Sequence, residues 1–148
     1  MASPAIDRSN AEATLLRDGT VLVSGGSPEA DAAEIFDPSH LRWSLTGPMV
    51  EARSGHTATL LGDGRVLVTG GVAAAGAVSA ATEIYDPRTH NWSKADSMAV
   101  PRSFHTATRL KDGRVLVAGG QAGGHGPFQR EAEVFDPRTS KWSPAGAL

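Results

Sequence analysis

No cysteine occurs among the 148 residues, which rules out a disulfide framework and any thiolate nucleophile or ligand. Its absence does not separate compartments, because secreted domains also do without it. Charge of one sign is missing too. Fourteen Lys and Arg stand against sixteen Asp and Glu, for a formal net charge of −2, and they are scattered with no basic stripe. That balance gives neither nucleic acid nor an anionic membrane surface a footprint to bind. No apolar run approaches the length of a bilayer span, and the opening "MASPAIDRSN" has no apolar signal-peptide core. As it stands, the chain is expected in the cytosol. The five histidines, His40, His56, His90, His105 and His125, never fall three or four residues apart, and none joins a carboxylate cluster with ligand spacing. No metal site is therefore expected, since zinc and iron sites need three or four convergent ligands. A glycine loop in the strand-to-helix setting that cradles phosphate is also lacking, so no cofactor is expected.

What the chain has is repetition. "HTATLLGDGRVLVTGG" (His56–Gly71) returns as "HTATRLKDGRVLVAGG" (His105–Gly120), and an altered copy, "AEATLLRDGTVLVSGG", runs from Ala11 to Gly26. Arg53–Gly71 matches Arg102–Gly120 at 15 of 19 positions and Arg8–Gly26 at 13 of 19. Downstream come "EIFDPSHLRWS", "EIYDPRTHNWS" and "EVFDPRTSKWS", with Trp43, Trp92 and Trp142 spaced by 49 and 50 residues. Self-similarity at such a period means one supersecondary unit stacked on copies of itself.

Each unit is expected to form four short strands. "VLV" is apolar without alternation, which suits a strand covered on both faces. Asp18-Gly19, Asp63-Gly64 and Asp112-Gly113 lie between apolar runs as hairpin turns. The third strand, "TEIYD", stops at Asp86-Pro87, since proline cannot donate to a ladder. The fourth carries the tryptophan. No segment has a convincing helical period, although "VAAAGAVSAAT" after Gly71 has room for a helical turn.

The double glycine after "VLV", the aromatic-Asp-Pro, the tryptophan about six residues later and the R-S-x-H opening the next unit together resemble kelch repeats. The resemblance covers nearly the whole chain. It implies an all-β fold of kelch-type β-propeller blades, three four-stranded antiparallel blades over about residues 5–49, 50–98 and 99–148, with the "HTATLL" strand innermost. The first copy departs from the pattern, with Ala11-Glu12 in place of His-Thr, so a looser inner strand is expected there. Copper-radical sugar oxidases share a kelch core, but their chemistry uses a cysteine cross-linked to tyrosine plus a second tyrosine. Here there is no cysteine, and Tyr85 stands alone. Exported kelch proteins also resemble this chain, which leaves a trimmed segment of an exported parent as a second reading of its location.

Repetition filters the candidate site residues, because every blade needs packing and closure whereas a catalytic group is needed once. Arg8, Arg53 and Arg102 recur just before strand one, and Glu34, Glu83 and Glu133 recur just before strand three, at the same end of the blade. Ion pairs between the two sets are the favoured reading, with anion binding by the arginines as the alternative. His56 and His105 share one blade position and are read as structural. The loops that differ emerge on one face: "SPEADAA", "VAAAGAVSAA" and "QAGGHGPFQRE". The third offers His125, Phe128, Gln129 and Arg130, including an aromatic anchor and an arginine, as candidate ligand-binding residues.

The functional expectation is a non-enzymatic binding or scaffold module presenting that face to a protein or a carbohydrate. The alternatives are an enzyme processing a sugar acid at the channel mouth and an excised or engineered portion of a longer propeller without activity of its own. Rings close with about four to eight blades. Three blades are therefore expected to be half of a six-bladed ring, completed by a second copy in a two-fold dimer.

Overall fold

A computed structural model of the protein describes residues 8–26, 31–123 and 126–148. Three four-stranded antiparallel sheets follow one another along the chain. The first is β1 (Glu12–Leu15), β2 (Val21–Ser24), β3 (Ala33–Asp37) and β4 (Arg42–Leu45). The second is β5 (Thr57–Leu60), β6 (Val66–Thr69), β7 (Thr82–Asp86) and β8 (Asn91–Ala95). The third is β9 (Thr106–Arg109), β10 (Val115–Ala118), β11 (Glu131–Asp136) and β12 (Lys141–Ala147). Each is an up-and-down meander in sequence order, as expected of propeller blades. The alanine-rich segment forms one short 3₁₀ turn, Ala74–Gly76, and no α-helix is present among the described residues.

Turn chemistry sets the register. Gly19, Gly64 and Gly113 take φ of +87°, +94° and +89°, which glycine alone adopts without steric cost, and the preceding aspartate accepts the N–H two residues on. After strand three, Asp37, Asp86 and Asp136 likewise accept the N–H of Ser39, Arg88 and Arg138 across the Asp-Pro turn. The first strand of blade 1 pairs over four residues, just as β5 and β9 do, so the loss of His-Thr has not shortened it.

The first strands of successive blades touch around the axis, and the blades pack face to face. Between blades 1 and 2, Leu16, Leu22, Ile35 and Met49 meet Val66, Val68 and Tyr85. Between blades 2 and 3, Leu61, Leu67 and Ile84 meet Val115 and Phe135. Each seam is tied by main-chain bonds at the same positions. Gly26 N–H donates to the Arg53 carbonyl (2.9 Å) and Gly71 N–H to that of Arg102 (2.9 Å). A Cβ on Gly25 or Gly70 would collide with those same carbonyls, so the double glycine is the place where one blade's backbone passes against the next. On the outer strands, Trp92 Nε1 donates to Thr46 Oγ1 (3.3 Å) and Trp142 Nε1 to the Asp96 carbonyl (2.8 Å), each reaching back to the preceding blade.

Candidate functional site

The arginines and glutamates that recur pair with each other. Arg8 lies 3.0 Å from Glu34, Arg53 2.6 Å from Glu83 and Arg102 3.0 Å from Glu133. The glutamates lie within strand three, and each guanidinium also donates to carbonyls on both sides of the loop between strands two and three, Gly70 (2.7 Å) and Ala81 (3.0 Å) in the case of Arg53. Glu83 in turn accepts the N–H groups of Val50 (2.6 Å) and Glu51 (3.0 Å), and Glu133 those of Ala99 (2.7 Å) and Val100 (3.2 Å). The result is a buried clamp that fixes the incoming connector and the variable loop to one sheet. Arg53 and Arg102 have no exposed surface, so neither turns a cationic edge toward solvent.

The recurring histidines bridge blades. His56 Nε2 lies 3.1 Å from Ser24 Oγ in blade 1, and His105 Nε2 lies 2.9 Å from Thr57 Oγ1 in blade 2. Burial, with the Arg53 charge beside it, pushes His56 down to about 3, and burial with Arg102 pushes His105 down to about 4. Both rings are neutral near pH 7, and their buried Nδ1 atoms have no partner among the described residues.

Two open sites differ in character. On the face of the Asp-Gly and Asp-Pro turns, grooves of about 550 and 380 Å³ run between adjacent hairpins. They are lined by aspartates that are already committed: Asp63 to Arg65 (2.8 Å), Asp86 to Arg88 (2.8 Å) and Asp136 to Arg138 (2.9 Å). The Arg88 hydrogen bonds hold Asp86 down at about 2, a carboxylate satisfied by its own turn. No group of three potential metal ligands occurs among the described residues.

On the opposite face, the axial mouth is a cavity of about 370 Å³ lined by Asn10, Ala11, Glu12, Gly55, Phe104 and the two histidines. Asn10, Gly55 and Phe104 hold the same place in the three blades, the variable position of R-S-x-H, and all three are left-handed, with φ of +58°, +59° and +53°. A main-chain chain of bonds joins them, Gly55 N–H to Asn10 carbonyl (3.0 Å) and Phe104 N–H to Gly55 carbonyl (2.8 Å). Asparagine and glycine tolerate that conformation, whereas an aromatic residue there is an outlier. The Phe104 ring lies over Gly55, where a Cβ would sit 2.7 Å from it, and yet 57% of the residue remains exposed. Beside it, partial burial raises the Glu12 carboxyl.

The variable-loop residues singled out from the sequence scatter. His125 lies outside the described residues. Phe128 is 76% exposed, and its backbone pairs with Gln121, which pairs with Ser103 beside Phe104; Phe128 does not line the mouth. Gln129 uses its N–H on the Gly120 carbonyl (2.9 Å), and Arg130 donates to the Leu148 carbonyl (3.2 and 3.3 Å). Phe104 itself was missed by sequence reasoning. Its signal was a bulky residue at a repeat position where the other copies carry Asn and Gly.

Comparison with known proteins gives one family. A model described as "Kelch motif" matches residues 52–99 and 101–148. No curated protein matches. Among solved structures, one titled "Structure of YjhT" superposes with a TM-score of 0.82 at 18% identity, over 97% of this chain and 52% of the other. The chain thus spans about half the length of the structure it matches.

Proposed function

Because the chain belongs to the kelch-motif family, whose propeller fold serves generally as a binding scaffold, we propose that it is a non-enzymatic binding module whose ligand, a carbohydrate, sits at the axial mouth on Phe104. The observation that carries this reading is a solvent-exposed aromatic ring held in a left-handed conformation at the rim of an open cavity. Such strain persists only where the surroundings over-determine it, and it concentrates at ligand sites. An aromatic face beside Asn10 and the Glu12 carboxyl offers an apolar platform with a few orienting polar groups, the usual make-up of a small-ligand site. An enzyme that grips a sugar acid with the recurring arginines would need a guanidinium at the mouth, and those of Arg53 and Arg102 are enclosed in ion pairs.

The test is a screen of neutral oligosaccharides by thermal shift, in which ligand bound only to the folded state raises the melting temperature. Phe104→Asn places in blade 3 the residue blade 1 uses at that position, so folding should be kept or improved. Affinity for any sugar found should fall about tenfold, the value of one aromatic contact. Undiminished binding by the variant would remove the mouth as the site. A folded chain that binds peptides and no sugar would replace carbohydrate with protein as the ligand class.

A further inference from the structure

The same three residues, Val-Leu-Val, are buried in three different ways. In β6 every position is buried; in β2, Leu22 and Ser24 are buried while Val21 and Val23 are half-exposed; in β10, Val115 and Val117 are buried while Leu116 and Ala118 are half-exposed. Blade 1 thus leaves open the face that blade 2 presses against blade 1, and blade 3 leaves open the face that blade 2 presses against blade 3. Leu15 is 64% exposed, whereas its counterpart Leu60 packs into the first seam.

We propose that a second copy of this chain covers both faces at once, blade 3 of each copy docking on blade 1 of the other to complete six blades about a two-fold axis. The two open surfaces are copies of the two halves of the interior seams, so they fit each other as blade 1 fits blade 2. The main chain carries the same complement. Gly26 and Gly71 donate across seams to Arg53 and Arg102. Among the described residues, Gly120 N–H and the Arg8 carbonyl, which hold the equivalent places, make no such cross-blade bond. In the ring, Gly120 donates to Arg8 of the partner subunit. A Cβ on Gly119 meets nothing within 4 Å, whereas those on Gly25 and Gly70 meet the next blade.

A matched pair of losses identifies which blade follows blade 3. Interior seams use a histidine against a hydroxyl of the preceding blade, His56 on Ser24 and His105 on Thr57. Blade 3 carries Ala118 in the place of Ser24, and the hydroxyl of Thr106, in the place of Thr57, already donates to the Ala118 carbonyl (3.3 Å). A following blade with the repeat's histidine would bury that ring without a hydroxyl partner. Blade 1, with Ala11, is the one blade of this chain that brings no histidine. The three blades also superpose on about half, 52%, of a longer chain of the same fold.

The experiment is solution mass by light scattering at tens of micromolar, with the β circular dichroism recorded alongside. Wild type should have two chain masses, and Val23→Asp, on the open face of blade 1, should be folded with one. A single chain mass for wild type overturns the proposal and leaves the faces to further blades of a longer polypeptide; three or more masses overturn it in favour of open-ended stacking. Should Val23→Asp not fold, a second pair decides. Ala11→His alone leaves its ring facing Ala118, and adding Ala118→Ser restores the hydroxyl, so the double variant should dimerise about fivefold more tightly than the single. No difference between them would place the dimer contact elsewhere and overturn the ring.

Discussion

Arg53→Ala is expected to lower the unfolding free energy by about 3–5 kcal/mol, the loss typical of a buried ion pair deprived of one partner. The guanidinium has no exposed surface and donates to Glu83 and to the Gly70 and Ala81 carbonyls. Its removal leaves the Glu83 carboxylate, 1% exposed, without a counter-ion and the Gly70 carbonyl without its guanidinium donor, while the Ala81 carbonyl keeps the Gly70 N–H. A domain is stable by only about 5–15 kcal/mol in all, so a large share of this variant should be unfolded at physiological temperature. Arg53→Lys keeps the charge but not the planar fork that reaches several acceptors, and should fall between alanine and wild type. Arg88→Ala is the control. Arg88 pairs with Asp86 at a similar 2.8 Å but is 84% exposed, and its loss should leave the denaturation midpoint unchanged. Urea denaturation followed by circular dichroism measures all three. Equal midpoints for Arg53→Ala and Arg88→Ala would show that the clamp does not hold the blade.

Stability should also fall steeply as the pH drops below neutral, through the two buried histidines. His56 and His105 are held at about 3 and about 4 by burial and by the neighbouring arginines. In the unfolded chain both return to an ordinary histidine value near 6.5. Between that value and their folded values, the unfolded state binds two protons that the folded state refuses, so stability drops as pH falls. The pair should lose about 3 kcal/mol between pH 6.5 and pH 5, at a slope approaching 1.4 kcal/mol per pH unit for each ring. The aspartates whose pKa values are lowered, among them Asp63, Asp86 and Asp112, act in the window below about 4 and do not overlap it. The His56→Gln, His105→Gln double variant should be less stable at pH 7.5 but nearly flat between pH 7.5 and 5. A wild-type profile that is equally flat would show that these rings charge freely in the folded protein.

Much of this architecture is legible in the chain because its signals are local. Asp-Gly and Asp-Pro each fix a turn within four residues, and Val-Leu-Val announces a strand covered on both faces without naming what covers it. The pairing of Arg53 with Glu83 was readable from joint recurrence, since two opposite charges repeated in every blade and buried must meet. The histidines were readable as structural on the same ground, although the hydroxyls they use differ between seams, Ser24 in one and Thr57 in the other. Phe104 was not readable. Its meaning depends on a backbone angle and on its ring lying over Gly55, which belongs to another blade 49 residues away, and a repeat pattern marks its position simply as variable. The reach of Trp142 to Asp96 was hidden too, because the sequence does not tell which blade an outer strand leans against.

Amide hydrogen exchange at Gly26, Gly71 and Gly120, followed by NMR, tests most directly the claim that one seam is repeated around a closed ring. The first two N–H groups cross the seams within the chain, and in the proposed ring the third would cross the seam between copies. At tens of micromolar all three should exchange slowly, and Val23→Asp should release Gly120 alone while Gly26 and Gly71 stay protected. Rapid exchange of Gly120 in the wild-type protein, with Gly26 and Gly71 protected, would contradict the ring.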